Sequence, residues 1–201
     1  MTAVQPEWAM LTVAFVDVRG FTTYADRATA REAVTYLNEF FEVAIPVLGD
    51  HGGTVNKLLG DGLLAVFDAP DHADRALDAS IALLAAVDAE LGDRCRIGIG
   101  LNSGLVLVGT IGAGPVRELG VVGDPVNVAA RVQDATRALG VPLLLTEATR
   151  VLLEGERTEL AAHGSLTLRG KSQPIEVHGL APALVTLPGR SVRRKEPGWQ
   201  H

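Results

Sequence analysis

The sequence predicts an α+β fold, or α/β sandwich, in which helices cover one face of a sheet. Two apolar, strand-like runs at 13–18 and 63–67 alternate with two segments, 22–49 and 71–91, whose apolar residues have helical spacing. The order of strand, helix, two strands, helix and strand is typical of a sheet with helices packed on it. Because 47% of the 201 residues are hydrophobic, we expect the chain to bury one good core.

The first half of the chain is predicted to contain a strand, a long helix and a hairpin. The apolar run at 13–18 is typical of a buried strand. The helix at 22–49 is predicted from apolar residues spaced three and four positions apart. Strands at 55–59 and 63–67 are joined through the Gly-Asp-Gly segment at 60–62, since Asp-Gly between apolar runs strongly indicates a hairpin.

The second half is predicted to contain two longer helices and several strands. The stretch 97–116 has no charged residue, but Asn102-Ser103-Gly104 interrupts it and it carries six glycines. This pattern favours two strands joined by a turn over a membrane-spanning helix. The predicted elements are a helix at 71–91, strands at 96–101, 105–110 and 116–122, a helix at 124–139, a strand at 141–145, a short helix at 147–153, and strands at 165–168 and 175–180.

Composition excludes several classes of protein. A net charge of -6 argues against nucleic acid as a partner, because phosphate backbones require a basic surface, and the basic run at 190–195 lies in a tail. That run is interpreted as a solvated terminus, with contact to a membrane or polyanion as the alternative. The lone Cys95 excludes an intrachain disulfide and fits a reducing compartment.

We expect a soluble, cytoplasmic chain with no direct membrane insertion, because no charged start precedes an apolar signal segment. One domain is expected at 10–182, between an N-terminal tail at 1–9 and a flexible C-terminal tail at 183–201. If the chain is part of a longer protein, a regulatory domain would lie outside it.

Two carboxylates are the best indication of function. Asp17 stands in a buried strand where a hydrophobe is expected, so it must be paired or ligated. Next to it, Gly20 lets backbone N–H groups approach an anion, Phe21 can anchor the turn in the core, and Thr22 completes this substrate-binding turn. Asp61 alone would be explained by turn chemistry. Together with Asp17 it suits a pair of magnesium ions that bridge a triphosphate.

Three further polar residues stand out. Asn127 and Arg131 lie four residues apart on one face of the predicted helix at 124–139, near the start that Asp124 caps. For an arbitrary helix, both would be interpreted as surface residues. Lys57 lies in an otherwise apolar strand, so its ammonium must emerge at an edge, an interface or a cleft.

Several long motifs together resemble the catalytic domain of class III nucleotidyl cyclases, the adenylyl and guanylyl cyclases, and most of all those of bacterial adenylyl cyclases. The match runs from about Met10 to about Leu180. It implies a ferredoxin-like core with helices on a mostly antiparallel sheet, and a C-terminal subdomain. The motifs are Phe15-Val-Asp-Val-Arg-Gly-Phe-Thr22, Lys57-Leu-Leu-Gly-Asp-Gly62, Arg96-Ile-Gly-Ile-Gly100, Val122-Gly-Asp-Pro-Val-Asn-Val-Ala-Ala-Arg131 and Leu168-Arg-Gly-Lys171.

The resemblance implies conversion of ATP to cyclic AMP with two divalent cations, Mg²⁺ or Mn²⁺, per site. In the family pattern the matching asparagine, Asn127, holds the ribose and the matching arginine, Arg131, stabilises the reacting phosphate. Lys57 matches the residue that contacts the purine, and a lysine there favours ATP over GTP. Lys171 matches a lysine that grips the terminal phosphates.

Family resemblance also implies a homodimer. Each site would take its metal carboxylates from one chain and its nucleotide-binding residues from the other, and this single sequence contains both sets.

One position departs from the family pattern. Gly120 stands where an aspartate or threonine usually completes purine recognition, and it has no side chain to offer. GTP or a pyrimidine nucleotide is therefore an alternative substrate. A nucleotide-binding module that regulates a partner without turnover is a second alternative. A diguanylate cyclase is disfavoured, because no Gly-Gly-Asp/Glu-Glu-Phe motif occurs.

Overall fold

One mixed sheet of eight strands organises the part of the chain that the computed structural model describes, residues 5–168 and 173–181. Helices and one short 3-10 turn, Gly92–Arg94, connect and cover the strands. In chain order the elements are β1 (Glu7–Val18), α1 (Phe21–Ala25), α2 (Ala30–Asp50), β2 (Thr54–Leu58), β3 (Gly62–Phe67), α3 (His72–Leu91), β4 (Ile97–Ala113), β5 (Val116–Val122), α4 (Asp124–Leu139), β6 (Leu143–Thr146), α5 (Glu147–Arg150), β7 (Leu160–Leu166) and β8 (Ile175–Leu180).

The sheet is antiparallel except at one pair of strands. Its order is β2-β3-β1-β4-β6-β8-β7, and β5 pairs with the far half of β4. Only β4 and β6 run parallel among these strands. The expected α+β fold with a mostly antiparallel sheet is therefore confirmed.

Helices cover both faces of the sheet, so the expectation of one covered face is wrong. Successive residues of a strand point to opposite faces. Ala14 and Val16 of β1 pack with residues of α2 and α3, whereas Leu11 and Val13 pack with Ala129 of α4. The sequence pattern shows that α4 has an apolar side, but it does not show which face of the sheet that side covers.

The helix α4 lies very close to β4. A Cβ atom built on Gly100 would lie 2.2 Å from the backbone nitrogen of Gln133, and one on Gly98 would lie 2.6 Å from Thr136 Oγ1. Any larger residue at these two positions would push the helix away from the sheet. The position of α4 is thus determined by β4.

The predicted helix at 22–49 is two helices. Thr29 begins α2 with a capping box, since its hydroxyl accepts from the backbone N–H of Glu32 and the Glu32 carboxylate accepts from the backbone N–H of Thr29 at 2.7 Å. This reciprocal cap starts a new helix at Ala30 and leaves α1 as a separate short helix.

The predicted turn at Asn102-Ser103-Gly104 is also wrong. These residues lie in the middle of β4, a strand of 17 residues. The whole of β1 pairs with β4 from Ile97 to Val108, which keeps the strand extended through the polar residues.

Smaller differences concern the ends of elements. The strand β1 begins at Glu7, so residues 7–9, expected in a tail, pair in the sheet. The cap of α4 is Gly123 and not Asp124, which is the first helical residue. The C-terminal tail expected at 183–201 lies outside the described residues. Among the residues described, no helix is both long and apolar enough to cross a bilayer.

Candidate active site

Asp17 and Asp61 lie together at one end of the sheet. Asp17 is the penultimate residue of β1, and its cross-strand partner on β3 is Gly62, which directly follows Asp61. The backbone N–H of Val18 donates to the Asp61 carbonyl at 3.1 Å. The two acidic residues predicted from sequence are therefore neighbours in space.

The pKa of Asp17 is raised from 3.8 to about 6. Burial is the largest cause, followed by the negative charges of Asp61 and Asp134, and the positive charges of Arg137 and Arg19 only partly oppose them. A carboxylate in such surroundings is stabilised by any cation that binds beside it.

Two glycines shape this end of the sheet. A Cβ atom on Gly62 would lie 3.3 Å from Asp17 Oδ1 and 2.4 Å from the Val16 carbonyl oxygen, so a side chain there would crowd the carboxylate. Gly20 turns the chain after β1 with a φ of +75°, a left-handed conformation that favours glycine.

The donor set fits Mg²⁺ or Mn²⁺. Carboxylate oxygens are hard ligands, and magnesium in nucleotide sites is typically held by one or two carboxylates with substrate phosphates and water. No group of three or more His, Cys, Asp or Glu side chains that could hold a metal occurs among residues 5–168 and 173–181.

Arg19 was not identified from sequence. Its guanidinium donates to the carbonyls of Ile97 at 3.2 Å and Val141 at 2.7 Å, and so ties the end of β1 to the starts of β4 and β6. Burial is the main cause that lowers the pKa of Arg19, and the charge of Arg137 adds to it. The only signal in the sequence was its place between Asp17 and Gly20.

The turn after β1 is anchored by aromatic packing. The Phe21 ring stacks on Tyr36 of α2 with 6.0 Å between ring centroids, and the Tyr36 hydroxyl donates to the Arg94 carbonyl at 3.0 Å. The anchoring role predicted for Phe21 agrees with this packing. Thr22, beside it in α1, is exposed.

Asn127 and Arg131 lie in the first two turns of α4, with Asn127 exposed and Arg131 half-buried. Within residues 5–168 and 173–181, no carboxylate forms an ion pair with Arg131. The α4 charges that most shift the pKa of Asp17 are those of Asp134 and Arg137. Arg131 therefore lies on the same helix as these residues but does not pair with Asp17 or Asp61 of its own chain.

Lys57 emerges at the edge strand β2 and meets β5. Its Nζ atom lies 2.5 Å from Glu118 Oε1 in a partly exposed ion pair. Beside it, the Asn56 amide nitrogen donates to the Leu119 carbonyl at 2.8 Å. Glu118 was not identified from sequence, because it is 61 residues from Lys57 and lies outside the cyclase motifs.

Gly120 is buried on β5, two residues after Glu118 and so on the same face of the strand. A Cβ atom at this position would lie 2.1 Å from the Cδ1 atom of Ile111. The Ile111 side chain thus fills the space that a polar side chain at position 120 would occupy. Lys171 lies outside the described residues.

An apolar patch lies on the face of the sheet that α3 packs against, at a place that α3 leaves exposed. Met10 pairs with Leu105, Trp8 pairs with Leu107, and Leu107 pairs with Val122, so these side chains form adjoining rows. Trp8, Met10, Leu105 and Val122 are 66%, 52%, 51% and 53% exposed. We call these four residues the apolar patch.

The sequence of this chain matches one family of known proteins. Residues 4–181 match the family model of the adenylate and guanylate cyclase catalytic domain. An uncharacterized protein of Mycobacterium tuberculosis is 37% identical over 169 residues, which cover 82% of this chain. The chain spans only 30% of that protein's length.

Two solved structures have similar folds. A bacterial light-regulated adenylyl cyclase superposes with a TM-score of 0.80 and 25% identity, over 88% of this chain and 52% of that one. The guanylyl cyclase Cya2 has a TM-score of 0.75 and 27% identity, over 90% of this chain and 94% of that one. The resemblance seen in the sequence motifs is thereby confirmed, while both nucleotide specificities occur among the similar structures.

We expect Asp17→Asn to stabilise the metal-free protein, and more so at neutral than at acidic pH. The folded-state pKa of about 6 exceeds the ordinary 3.8, so the folded protein binds this proton more tightly than the unfolded chain. The wild type therefore loses stability as the pH rises from about 4 to about 6, and the uncharged variant does not. Solvent screening at this half-buried site reduces the effect.

Thermal unfolding in a chelator should thus show a gain in Tm on the order of 2 °C at pH 7 and almost none at pH 4. Asp68→Asn, at an exposed carboxylate after β3, is the control and should show no such trend. An equal gain at both pH values would contradict the assigned environment of Asp17.

Proposed function

Because the chain belongs to the adenylate and guanylate cyclase catalytic domain family, we propose that it is an adenylyl cyclase that converts ATP to 3′,5′-cyclic AMP and pyrophosphate. The observation that carries this proposal is the pairing of Asp17 and Asp61 at one end of the sheet. Burial and the charge of Asp61 raise the pKa of Asp17, which means that its ionised form is disfavoured. A cation bound beside it would stabilise that ionised form.

The reaction joins two parts of one molecule. The ribose 3′-oxygen forms a bond to the α-phosphorus, the bond from that phosphorus to the bridging oxygen breaks, and pyrophosphate leaves. The hydroxyl proton passes to water or to a substrate phosphate. The task of the protein is to hold ATP bent, with the attacking and leaving oxygens in line.

Asp17 and Asp61 would hold two divalent cations, Mg²⁺ or Mn²⁺. When bound, these cations neutralise the triphosphate and lower the pKa of the attacking hydroxyl. Gly20, Phe21 and Thr22 form the turn beside the carboxylates, and its backbone faces the phosphates. The anchoring of Phe21 on Tyr36 keeps that turn in place.

Asn127 and Arg131 orient and stabilise the reacting end of the nucleotide. The Asn127 amide binds the ribose, and the Arg131 guanidinium donates to the phosphate oxygens on which charge develops. Donors aimed at developing charge accelerate a reaction because they bind the transition state better than the substrate. Lys171 is assigned to the terminal phosphates on its motif alone.

The pair of Lys57 and Glu118 recognises the base. A lysine donor beside a carboxylate acceptor matches the edge of adenine, where N1 accepts and the 6-amino group donates. With Gly120 lacking a side chain, Glu118 provides the acceptor. The same pair can face guanine O6 and N1–H, and so GTP is the second candidate substrate.

The active unit is a symmetric homodimer with two shared sites. Each site takes Asp17 and Asp61 from one chain and Lys57, Asn127 and Arg131 from the other. The apolar patch supports association, since adjoining exposed apolar rows on a sheet are typical of protein interfaces. Arg131 without a carboxylate partner in the described part of its own chain is consistent with a ligand that completes the site.

Incubation with each of the four nucleoside triphosphates and Mn²⁺ or Mg²⁺ should give cyclic AMP as the main product, with an equal amount of pyrophosphate. Asp17→Ala and Asp61→Ala should each lower the rate by on the order of 100-fold, because cation binding is lost. Mass spectrometry identifies the product. Tight binding of ATP without pyrophosphate release under either metal would instead support a regulatory nucleotide-binding module.

Shared sites predict that inactive variants complement one another. A co-expressed equal mixture of Asp17→Ala and Arg131→Ala should recover about a quarter of the wild-type rate, because half of the dimers are mixed and each of these has one intact site. A mixture of Asp17→Ala and Asp61→Ala should recover nothing, since both lesions lie in the same half-site. Equal rates in the two mixtures would refute sharing.

Reversing the charges of Lys57 and Glu118 separates base recognition from simple ion pairing. Lys57→Glu and Glu118→Lys should each reduce kcat/KM for ATP by about 10-fold. The double variant should restore the ion pair and the wild-type Tm. It exchanges the donor and the acceptor along the base edge, however, so the preference for ATP over GTP should remain lost.

The control is the exposed ion pair of Arg94 and Glu39, whose N···O distance is 2.9 Å. Its reversal should leave the ratio of kcat/KM values for ATP and GTP unchanged. Recovery of the ATP preference in the Lys57→Glu, Glu118→Lys double variant would show that this pair has only a structural role.

A further inference from the structure

The middle of β4 contains polar side chains where a buried strand would ordinarily have apolar ones. Asn102 and Ser103 are only 5% and 6% exposed. A buried amide or hydroxyl is costly unless it is hydrogen-bonded, so these residues need partners in the surrounding elements. Neither residue has a part in the proposed reaction.

Both ends of the Asn102 amide are bonded. Its nitrogen donates to the Pro125 carbonyl at 3.0 Å, and its oxygen accepts from the Thr146 hydroxyl at 2.7 Å. These opposite roles fix the orientation of the amide plane. Pro125 lies in the first turn of α4, two residues before Asn127 and six before Arg131.

Pro125 also packs directly on β4. A Cβ atom on Gly104 would lie 2.6 Å from the Cγ atom of Pro125, so the proline ring occupies the space beside that glycine. The cap of α4, Gly123, supplies no side-chain hydrogen bond to the helix start. The first turn of α4 is therefore held from the sheet, at Asn102 and Gly104.

The bonding continues beyond Asn102 through the interior. Thr146 caps α5, and its hydroxyl lies 3.4 Å from that of Thr149, which accepts from Ser103 at 3.1 Å. Ser103 Oγ lies 2.7 Å from Thr12 Oγ1, which lies 2.7 Å from His72 Nδ1 at the start of α3. We call this series of buried groups, from Asn102 to His72, the polar chain.

The polar chain connects the two faces of the sheet. Asn102 points to α4, whereas the next residue, Ser103, points to the face that α3 covers. Thr146, at the end of β6, joins the two sides. Asn102 is therefore hydrogen-bonded to Thr146 on one side and to Pro125 of α4 on the other, and these bonds fix its position.

We propose that Asn102 is a positioning residue for the nucleotide end of the site. It touches no substrate atom, and it acts through the Pro125 carbonyl to fix the first turns of α4, which carry Asn127 and Arg131. Its effect on turnover rests on the proposed function, and its effect on α4 does not. Displacement of a catalytic donor by about 1 Å can reduce a rate by about 100-fold, so a loosened helix start has a large effect.

The test compares Asn102→Ala with the control Ser103→Ala. The control removes the hydrogen bonds of Ser103 to Thr12 and Thr149, and it leaves the bond from Asn102 to Pro125 in place. Hydrogen exchange is measured without nucleotide on the full chain. Asn102→Ala should accelerate exchange of the amides at 126–131 by at least about 10-fold relative to those of α3, and Ser103→Ala should not.

Turnover is then measured well below the Tm of each variant. In Asn102→Ala, kcat should fall by about 10-fold while the apparent affinity for Mn²⁺ stays unchanged, because Asp17 and Asp61 are not on α4. Ser103→Ala should keep the wild-type kcat. If Asn102→Ala folds poorly, Thr146→Val, which releases the amide oxygen of Asn102, should give a smaller change in the same direction.

Unchanged exchange at 126–131 in Asn102→Ala overturns the proposal even if the wild type is an active cyclase. Faster exchange there with a wild-type kcat also overturns it. Faster exchange in a protein that makes no cyclic nucleotide supports the anchoring role and refutes the proposed function, so the two failures are distinguishable.

Discussion

A carboxylate held half-buried beside a second one, at the end of a central strand, is the constraint on which the rest of this structure depends. Asp17 has strands on both sides, and its cross-strand partners, Gly62 and Gly98, are both glycines. Small neighbours leave the carboxylate room for a ligand and deprive it of neutralising contacts. The raised pKa of Asp17 is the electrostatic result. A site of this kind stores unfavourable energy that ligand binding releases, and stability elsewhere in the sheet must offset it.

The start of α4 depends on β4, one of the two strands that pair with the strand of Asp17. On the face toward α4, β4 presents Gly98, Gly100, Asn102 and Gly104 in succession, a track of small residues with one polar side chain. The three glycines let the helix approach, and Asn102 fixes its start. Because all of β1 pairs with β4, Asp17 and the residues that support the start of α4 lie on one rigid ladder. Any distortion of that ladder would therefore disturb both the carboxylates and the start of α4.

Local sequence patterns predicted an element correctly where residues within that element determine its conformation. The strand that contains Asp17, the Asp-Gly hairpin and the extent of α4 were all predicted, because periodicity, turn chemistry and Pro125 act within a few residues. The polar triplet at 102–104 was misassigned, because its partners, such as Thr146, are 44 residues away and a local pattern contains no information about them. Glu118 was missed for the same reason. The division of the first helix was available in the sequence, since Thr29 and Glu32 have the spacing of a capping box. The roles of Asn127 and Arg131 came from family resemblance, and the fold alone does not assign them.

The polar chain has a consequence for how this sequence can change over time. Each of its hydroxyl, amide and imidazole groups is hydrogen-bonded to the next, so an apolar replacement of one member leaves a buried neighbour without that partner. We therefore expect selection against a single replacement, whereas simultaneous replacement of adjoining members by well-packed apolar residues should be tolerated. Among descendants of a common ancestor, one set of residues should be inherited or lost together: Thr12, His72, Asn102, Ser103, Thr146 and Thr149. An alignment deep enough to detect covariation would show them as one linked group.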